Sequence, residues 1–317
     1  MQNQTSMKMA IVGVGAVGAA TAMTIVLRGH VRELILIDKD AARAKAVATD
    51  MKYGVPLSPL MTVRAGDYED LEGAGLVVIT AGINEKAGGA TDRSDPAGRL
   101  RLLDTNVKIF EDIVPRIVKV APQAVILVAT NPPEPLVEVA RQLAGHDRVM
   151  STSTALDSLR FRVHLAERLS VSPAYVNAHV IGEHGTFSVF LWSSARIGSL
   201  PIKNVLAKQN IEFDAFRKAV EDDVRYANIT IIEGTGASQY GIGMVVGRVA
   251  EVILRDERAV FPVGSHNRDY GITLSLPSVV GAAGISDVLM PDMTEDELAG
   301  LVRSADRLRE VTGKYLR

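Results

Sequence analysis

The chain has 317 residues, 47% of them hydrophobic, which is enough for one large or two medium domains with a sizeable core. Lysine and arginine (35) nearly balance aspartate and glutamate (37). No basic tract suggests binding of nucleic acid, and the sequence has no acidic tail. The lack of cysteine excludes disulfides and thiol catalysis, and no apolar run is long enough to span a membrane, so we expect a soluble cytoplasmic protein.

The first elements are a strand, a glycine turn, a helix and a second strand, all within residues 8–38. Gly13, Gly15 and Gly18 form the pattern G-x-G-x-x-G, in which the glycines permit a tight turn, a close pyrophosphate and close helix packing. The helix N-terminus favours phosphates. Asp38 ends the second strand, where a carboxylate can bind a ribose 2′-OH and favour NAD over NADP. The stretch predicts a dinucleotide site; the alternative is a turn needed only for packing, with Asp38 solvated.

Strand and helix patterns then alternate as far as residue 151. Apolar strands separated by helices are typical of a parallel sheet covered on both faces, which predicts a doubly wound Rossmann-type α/β fold. Thr80, Gly82 and Asn131 follow predicted strands, at the sheet edge where ligands of such folds bind. The predicted strands are 8–14, 33–37, 61–65, 75–80, 124–129 and 148–151, and the helices are 16–27, 41–53, 100–120 (with Pro115 as a potential break) and 135–143.

From residue 152 the pattern changes to an α+β arrangement. No flexible linker separates the halves, so we expect them to pack together as a dinucleotide-binding domain (1–151) and a substrate domain (152–317). The sequence Thr294-Glu-Asp-Glu297 has the capping-box pattern that opens a helix. The other predicted elements are helices at 157–169, 213–234 and 241–256 and strands at 176–181, 188–195, 260–263 and 272–277.

Two polar motifs of the second half are candidates for chemistry. Asp157 and Arg160 are three residues apart on one predicted helix and therefore share a face. The sequence Gly-Glu-His-Gly places His184 in a tight turn between strand-like runs. Each motif has an ordinary alternative, a solvated ion pair or a structural loop histidine. No histidine pair has the spacing of a helical metal site, so we expect no metal.

The ordered motifs GVGAVG, TAG, TNP, LDSLRFR and GEHG resemble the lactate/malate dehydrogenase family over nearly the whole chain. This resemblance implies a homodimer or homotetramer that uses NAD for reversible hydride transfer between a small 2-hydroxy acid and its 2-oxo acid. By matching motif, His184 would be the acid/base, Asp157 its carboxylate partner and Arg160 the ligand of the substrate carboxylate. Asn131 would lie near nicotinamide and substrate.

The residue types suit this chemistry. Hydride addition to a carbonyl leaves an alkoxide that needs a proton, which histidine can supply near neutral pH. A carboxylate can orient the imidazole and stabilise the imidazolium, and a guanidinium matches a carboxylate bidentately. The distant alternative is an NAD-binding sensor without catalysis, which would have no need of His184, Asp157 and Arg160 together.

The resemblance also implies a mobile loop that closes over the substrate and excludes water. Here the loop would run from Gly82 to Arg99. Arg99 stands seven residues before Asn106, the family's spacing for the arginine that polarises the carbonyl, and Arg101 and Arg93 are the alternatives.

The substrate is less clearly indicated. The third residue after TAG, typically glutamine for lactate and arginine for malate, is Glu85, which would repel oxaloacetate. The loop is longer than usual, so Lys86 or Arg93 could face the substrate instead. Ser238 stands where lactate enzymes typically carry threonine and many malate enzymes alanine. We therefore expect L-lactate/pyruvate, with L-malate/oxaloacetate as the alternative.

Overall fold

Alternating strands and helices build the first half of the chain. The structure is a computed structural model and describes residues 7–83 and 101–316. The strands are β1 (Lys8–Val12), β2 (Glu33–Ile37), β3 (Thr62–Ala65), β4 (Leu76–Ile79), β5 (Val125–Val128) and β6 (Val149–Ser151). The helices are α1 (Ala16–Arg28), α2 (Ala41–Gly54), α3 (Leu103–Val120) and α4 (Pro133–Ala144).

These strands form a parallel sheet in the order β3-β2-β1-β4-β5-β6. Every residue of β4 and β5 is buried, as expected for apolar strands covered by helices on both faces. The order of the strands along the chain reverses at β1, which lies between β2 and β4. A crevice therefore opens at the carboxyl ends of β1 and β4, the usual ligand position in such sheets.

The second half extends the same sheet with antiparallel strands. Its elements are α5 (Ala155–Arg168), β7 (Val176–Asn177), β8 (Val180–Gly182), β9 (Ser188–Phe190), β10 (Arg196–Ile197), β11 (Leu200–Pro201), α6 (Ile202–Lys208), α7 (Phe213–Thr235), α8 (Tyr240–Arg255), β12 (Ala259–Asn267), β13 (Ile272–Gly281), β14 (Gly284–Val288) and α9 (Glu295–Gly313). Beyond β6 the order is β12-β13-β8-β9, with β14 also paired to β13, and β7, β10 and β11 form a separate small sheet. Gly264 of β12 lies opposite Ser151 of β6, where an added Cβ would stand 2.4 Å from the Ser151 hydroxyl.

The predicted fold class is confirmed, and the local predictions that fail do so for identifiable reasons. α3 continues through Pro115, because the buried face of the helix, including Phe110 and Ile117, outweighs one missing hydrogen bond. The strand predicted at 176–181 is two strands in different sheets, β7 paired with β10 and β8 with β9 and β13. The strand predicted at 188–195 ends at Phe190. Helix α6 and strand β14 have no counterpart among the predicted elements.

The two halves of the chain also meet through helices α1 and α8. Close approach depends on small residues, since a Cβ on Gly243 would lie 2.9 Å from the Ala20 carbonyl carbon and one on Gly247 would lie 2.4 Å from Thr24 Cγ2. The halves are therefore packed together as expected, while the domain boundary at residue 151 stays a prediction. Within residues 7–83 and 101–316, no helix is long and apolar enough to cross a membrane.

Candidate active site

Two glycines of the turn between β1 and α1 are required by the packing of the protein itself, because a side chain at either position would collide with neighbouring backbone atoms. Gly13 has φ +97°, and an added Cβ would lie 2.5 Å from the backbone nitrogen of Ala81. A Cβ on Gly18 would lie 2.1 Å from the Gly13 carbonyl oxygen. Thr80 closes the turn from β4 by donating its hydroxyl hydrogen to the same oxygen, over 2.5 Å.

Gly15 differs from these two glycines because a Cβ there would meet no atom of the described residues within 4 Å. The described residues leave open space at this position, where a ligand could approach the backbone. Gly15 is also the N-cap of α1; among the described residues no side chain caps that helix end, and its first turn contains no acidic residue. Backbone N–H groups at such an end suit a phosphate, so the turn fits a bound dinucleotide.

Asp38 lies directly after β2 and is tied to the same turn. Its carboxylate accepts hydrogen bonds from the backbone N–H groups of Val14 (2.6 Å) and Asp40 (2.9 Å). A carboxylate offers about four acceptor positions, so these two bonds leave acceptor capacity for a ribose hydroxyl.

The segments that follow β4 and β5 are joined by a buried asparagine. Asn106, on α3, accepts from the Ile83 N–H (2.9 Å) and donates to the Asn131 carbonyl oxygen (2.7 Å). Gly82 packs closely here, since its Cβ would lie 2.5 Å from Thr130 Cγ2. The predicted site residues Gly82 and Asn131 are thereby brought together at the sheet edge.

The three polar residues of the second half form one cluster. His184 Nδ1 lies 2.5 Å from Asp157 Oδ2, and Asp157 Oδ1 lies 3.1 Å from Arg160 Nη1. The Asp157 and His184 side chains are only 9% and 13% exposed. Asp157 therefore contacts both His184 and Arg160. Because Nδ1 is engaged by Asp157, Nε2 is the imidazole nitrogen that can exchange a proton with a ligand.

A cleft of about 580 Å³ connects the glycine turn to this cluster. Among the described residues that line it, Arg43 and Arg160 carry positive charge and none is aspartate or glutamate, which suits an anionic ligand. The predicted site residues that line the cleft are Gly15, Thr80, Gly82, Asn131, Arg160, His184 and Ser238. Asp157 is not among the lining residues and lies behind His184 and Arg160, with which it lines a small cavity.

Arg99, Glu85, Lys86 and Arg93 lie outside the described residues. Arg101, the alternative to Arg99, is exposed before α3 and is not among the residues that line the cleft.

Sequence reasoning missed two buried polar residues of the site. Asn228 lines the cleft from α7 and is 7% exposed. It belongs to a buried stripe of α7 in which every fourth residue faces inward, namely Val220, Val224, Asn228 and Ile232. A polar residue in this otherwise apolar stripe was the sequence signal that could have identified it. Glu134, 1% exposed at the start of α4, accepts a hydrogen bond from the His184 backbone N–H (3.1 Å). Burial raises the pKa of Glu134, against the opposing influence of His184 and of a hydrogen bond from Ser153.

In the described part of the chain, no group of three or more histidines, aspartates or glutamates could hold a metal ion.

Comparison with known protein families shows that two parts of the chain match two domains of one family. Residues 7–151 match the lactate/malate dehydrogenase NAD binding domain, and residues 154–316 match the alpha/beta C-terminal domain of the same family. An L-lactate dehydrogenase of Chloroherpeton thalassium is 42% identical over 307 residues, covering 96% of this chain and 98% of the relative. One of Deinococcus radiodurans is 40% identical over 304 residues, covering 96% and 97%.

A solved structure shows the same similarity in three dimensions. A lactate dehydrogenase from a Medee basin deep-sea metagenome library superposes with a TM-score of 0.90 at 32% identity, covering 98% of this chain and 99% of that one.

Proposed function

Because the chain belongs to the lactate/malate dehydrogenase family, we propose that it is an NAD-dependent L-lactate dehydrogenase, which interconverts L-lactate and pyruvate. The observation that carries the proposal is the His184–Asp157–Arg160 cluster on a cleft without a lining carboxylate among its described residues. Such a cleft can receive both an anionic dinucleotide and an anionic 2-oxo acid.

The first half of the chain would hold the cofactor. The open space at Gly15 and the uncapped N-terminus of α1 would receive the pyrophosphate, and Asp38 would bind the adenosine ribose. Gly13 and Gly18 would keep the turn in shape, while Thr80, Gly82 and Asn131 would line the nicotinamide side. When bound, the nicotinamide accepts or supplies the hydride.

The second half would bind the substrate and move the proton. The Arg160 guanidinium would form two parallel hydrogen bonds to the substrate carboxylate, which fixes the orientation of the 2-oxo carbon. In the reduction of pyruvate, the His184 Nε2–H would donate its proton to the carbonyl oxygen as negative charge develops there. Asp157 would hold the ring through Nδ1 and stabilise the imidazolium before transfer. In lactate oxidation the same nitrogen would take the hydroxyl proton.

Three further assignments rest on the resemblance. Arg99 would polarise the carbonyl when the loop closes, and Glu85 would stand near the substrate's far end and disfavour a dicarboxylate. Ser238 lines the cleft and would contribute a hydroxyl near the substrate. The relatives from Chloroherpeton thalassium and Deinococcus radiodurans, which match over nearly their full length, also favour lactate, because both are called L-lactate dehydrogenase.

The test is the rate of NADH oxidation, followed by absorbance, with pyruvate, oxaloacetate and longer 2-oxo acids. We expect the highest kcat/KM with pyruvate, and a gain on oxaloacetate in Glu85→Arg, because the variant places a positive charge where a second carboxylate would lie. A strong wild-type preference for oxaloacetate would make malate the substrate. NADH binding without turnover of any of these acids would favour the sensor instead.

We also propose that the protein is a homodimer or homotetramer. Large apolar side chains are exposed on the packed helix pair of α1 and α8, namely Met23, Leu27, Tyr240 and Met244. A second copy could cover them. Light scattering of dilute protein tests this, and a stable monomer would contradict it. A cytoplasmic location stays a prediction.

A further inference from the structure

We propose that Glu134 is a positioning residue for His184, which holds the backbone of the histidine turn while Asp157 holds its ring. The inference rests on the proposed function, since it assigns to Glu134 the support of the same acid/base. Glu134 lies in the first turn of α4, on the first half of the chain, whereas His184 follows β8 in the second.

One carboxylate oxygen of Glu134 joins three separate segments. Oε1 accepts from the His184 backbone N–H over 3.1 Å and from the Ser153 hydroxyl. Ser153 stands between β6 and α5, so the contact ties α4, this connection and the histidine turn together. At 1% exposure the carboxyl has almost no competing contact with water, so both bonds are strong constraints.

The histidine turn needs such support because regular structure does not fix it. Gly182, at the end of β8, has φ +86°, and the chain turns here before β9 begins at Ser188. Two side chains hold consecutive N–H groups of the turn: Ser304 accepts from Glu183 (2.8 Å), and Glu134 accepts from His184. His184 is therefore held at two points: Glu134 holds its backbone N–H, and Asp157 holds its imidazole ring through Nδ1.

The partner that Glu134 holds on the other side is itself strained. Ser153 has φ +38°, a conformation that residues other than glycine adopt at a cost, and it is 3% exposed. Its hydroxyl reaches Glu134 from this conformation. Backbone strain of this kind is concentrated at functional sites, and Ser153 lines the cleft.

The experiment compares two buried glutamates one turn apart on α4. Glu138 is also 1% exposed, but it accepts from His266 Nδ1 (2.5 Å) and Thr273 Oγ1 (2.8 Å) and is not among the residues that line the cleft. Glu138→Met is therefore the control for the general effect of removing a buried carboxyl. Glu134→Gln is the conservative variant, because its amide oxygen can accept the same two bonds.

We expect Glu134→Met to lower kcat with pyruvate about tenfold to a hundredfold, the range for a misplaced reacting group, with KM for NADH little changed. Glu134→Gln should keep most of the wild-type kcat. Glu138→Met should lower Tm without a comparable loss of kcat. Ser153→Ala should fall between wild type and Glu134→Met, and it serves as the test if Glu134→Met does not fold.

A second readout does not depend on turnover. The His184 ring resonance, assigned by its loss in His184→Ala, should broaden or split in Glu134→Met but not in Glu138→Met. An unchanged resonance and wild-type kcat in folded Glu134→Met would overturn the proposal, as would equal kcat losses in the two methionine variants. If the wild-type protein reduces no 2-oxo acid, the proposed function fails, and the resonance alone decides the role of Glu134.

Discussion

Removal of the Asp157 charge gives the sharpest test of the acid/base assignment. In Asp157→Asn the side chain keeps its size and can still contact His184 Nδ1 and Arg160, but it no longer carries a negative charge. The imidazolium that donates the proton to the substrate would then lose its nearest counter-charge, which lies 2.5 Å away between the closest atoms. The variant therefore separates the charge of Asp157 from the space that it fills.

The size of the effect follows from the burial of the pair. Both side chains are largely buried, at 9% and 13% exposure, so an effective dielectric constant of about 20 is appropriate. Two unit charges about 4 Å apart between their centres then interact by about 4 kcal/mol. Residual hydration reduces this, so we expect about 2–4 kcal/mol, or a loss of about thirtyfold to a thousandfold in kcat/KM for pyruvate.

The assay is steady-state NADH oxidation, with NADH affinity measured separately by fluorescence titration. Asp306→Asn is the matched control, because Asp306 pairs with Arg309 at the same three-residue spacing on α9 but is 60% exposed. We expect no change in kcat/KM for this control, since exposed pairs contribute little. A wild-type kcat/KM in Asp157→Asn would refute the assignment of His184 and Asp157 as an acid/base pair.

Four further variants test the acid/base and the cofactor site. His184→Ala should keep its affinity for NADH in fluorescence titration but lose most turnover, and an unchanged kcat would exclude His184 as the acid/base. Asp38→Ser should lower the ratio of kcat/KM with NADH to kcat/KM with NADPH, because serine does not repel a 2′-phosphate. An unaltered ratio would show that another residue makes the ribose contact. Gly15→Ala should weaken NADH binding at unchanged Tm, because its Cβ meets no atom of the described residues, whereas Gly18→Ala should lower the free energy of unfolding by about 1–3 kcal/mol. Equal thermal destabilisation of the two glycine variants would contradict the open space at Gly15.

The first half of the fold was predictable because its signals are local. The strand expected at 33–37 has those bounds in the structure, since a continuous apolar run between polar flanks defines it. In the second half, β7 and β10 are only two residues long and exist because they pair with each other. Two residues show no periodicity, so only the tertiary contact reveals them.

The residues of the proposed chemistry gave local sequence signals, whereas the side chains that support them did not. The spacing of Asp157 and Arg160 placed them on one helix face, and the glycines around His184 indicated a turn. Glu134 gave no such signal, because a glutamate in the first turn of a helix is ordinarily a solvated residue that interacts favourably with the helix dipole. Its burial results from the packing of α4 against elements of the second half.

The positions of these supports follow from a general problem of parallel sheets. Ligands bind where the strands end, and at that edge the sheet no longer pairs the backbone N–H and C=O groups of the connecting segments. Buried polar side chains pair them instead: Asn106 bonds to Ile83 and Asn131, Thr130 donates to the Ala81 carbonyl oxygen (2.9 Å), and Glu134 accepts from His184. The same bonds that satisfy the backbone also fix the walls of the cleft. A substitution at such a residue should therefore change both stability and turnover, and the comparison of Glu134 with Glu138 separates the two effects.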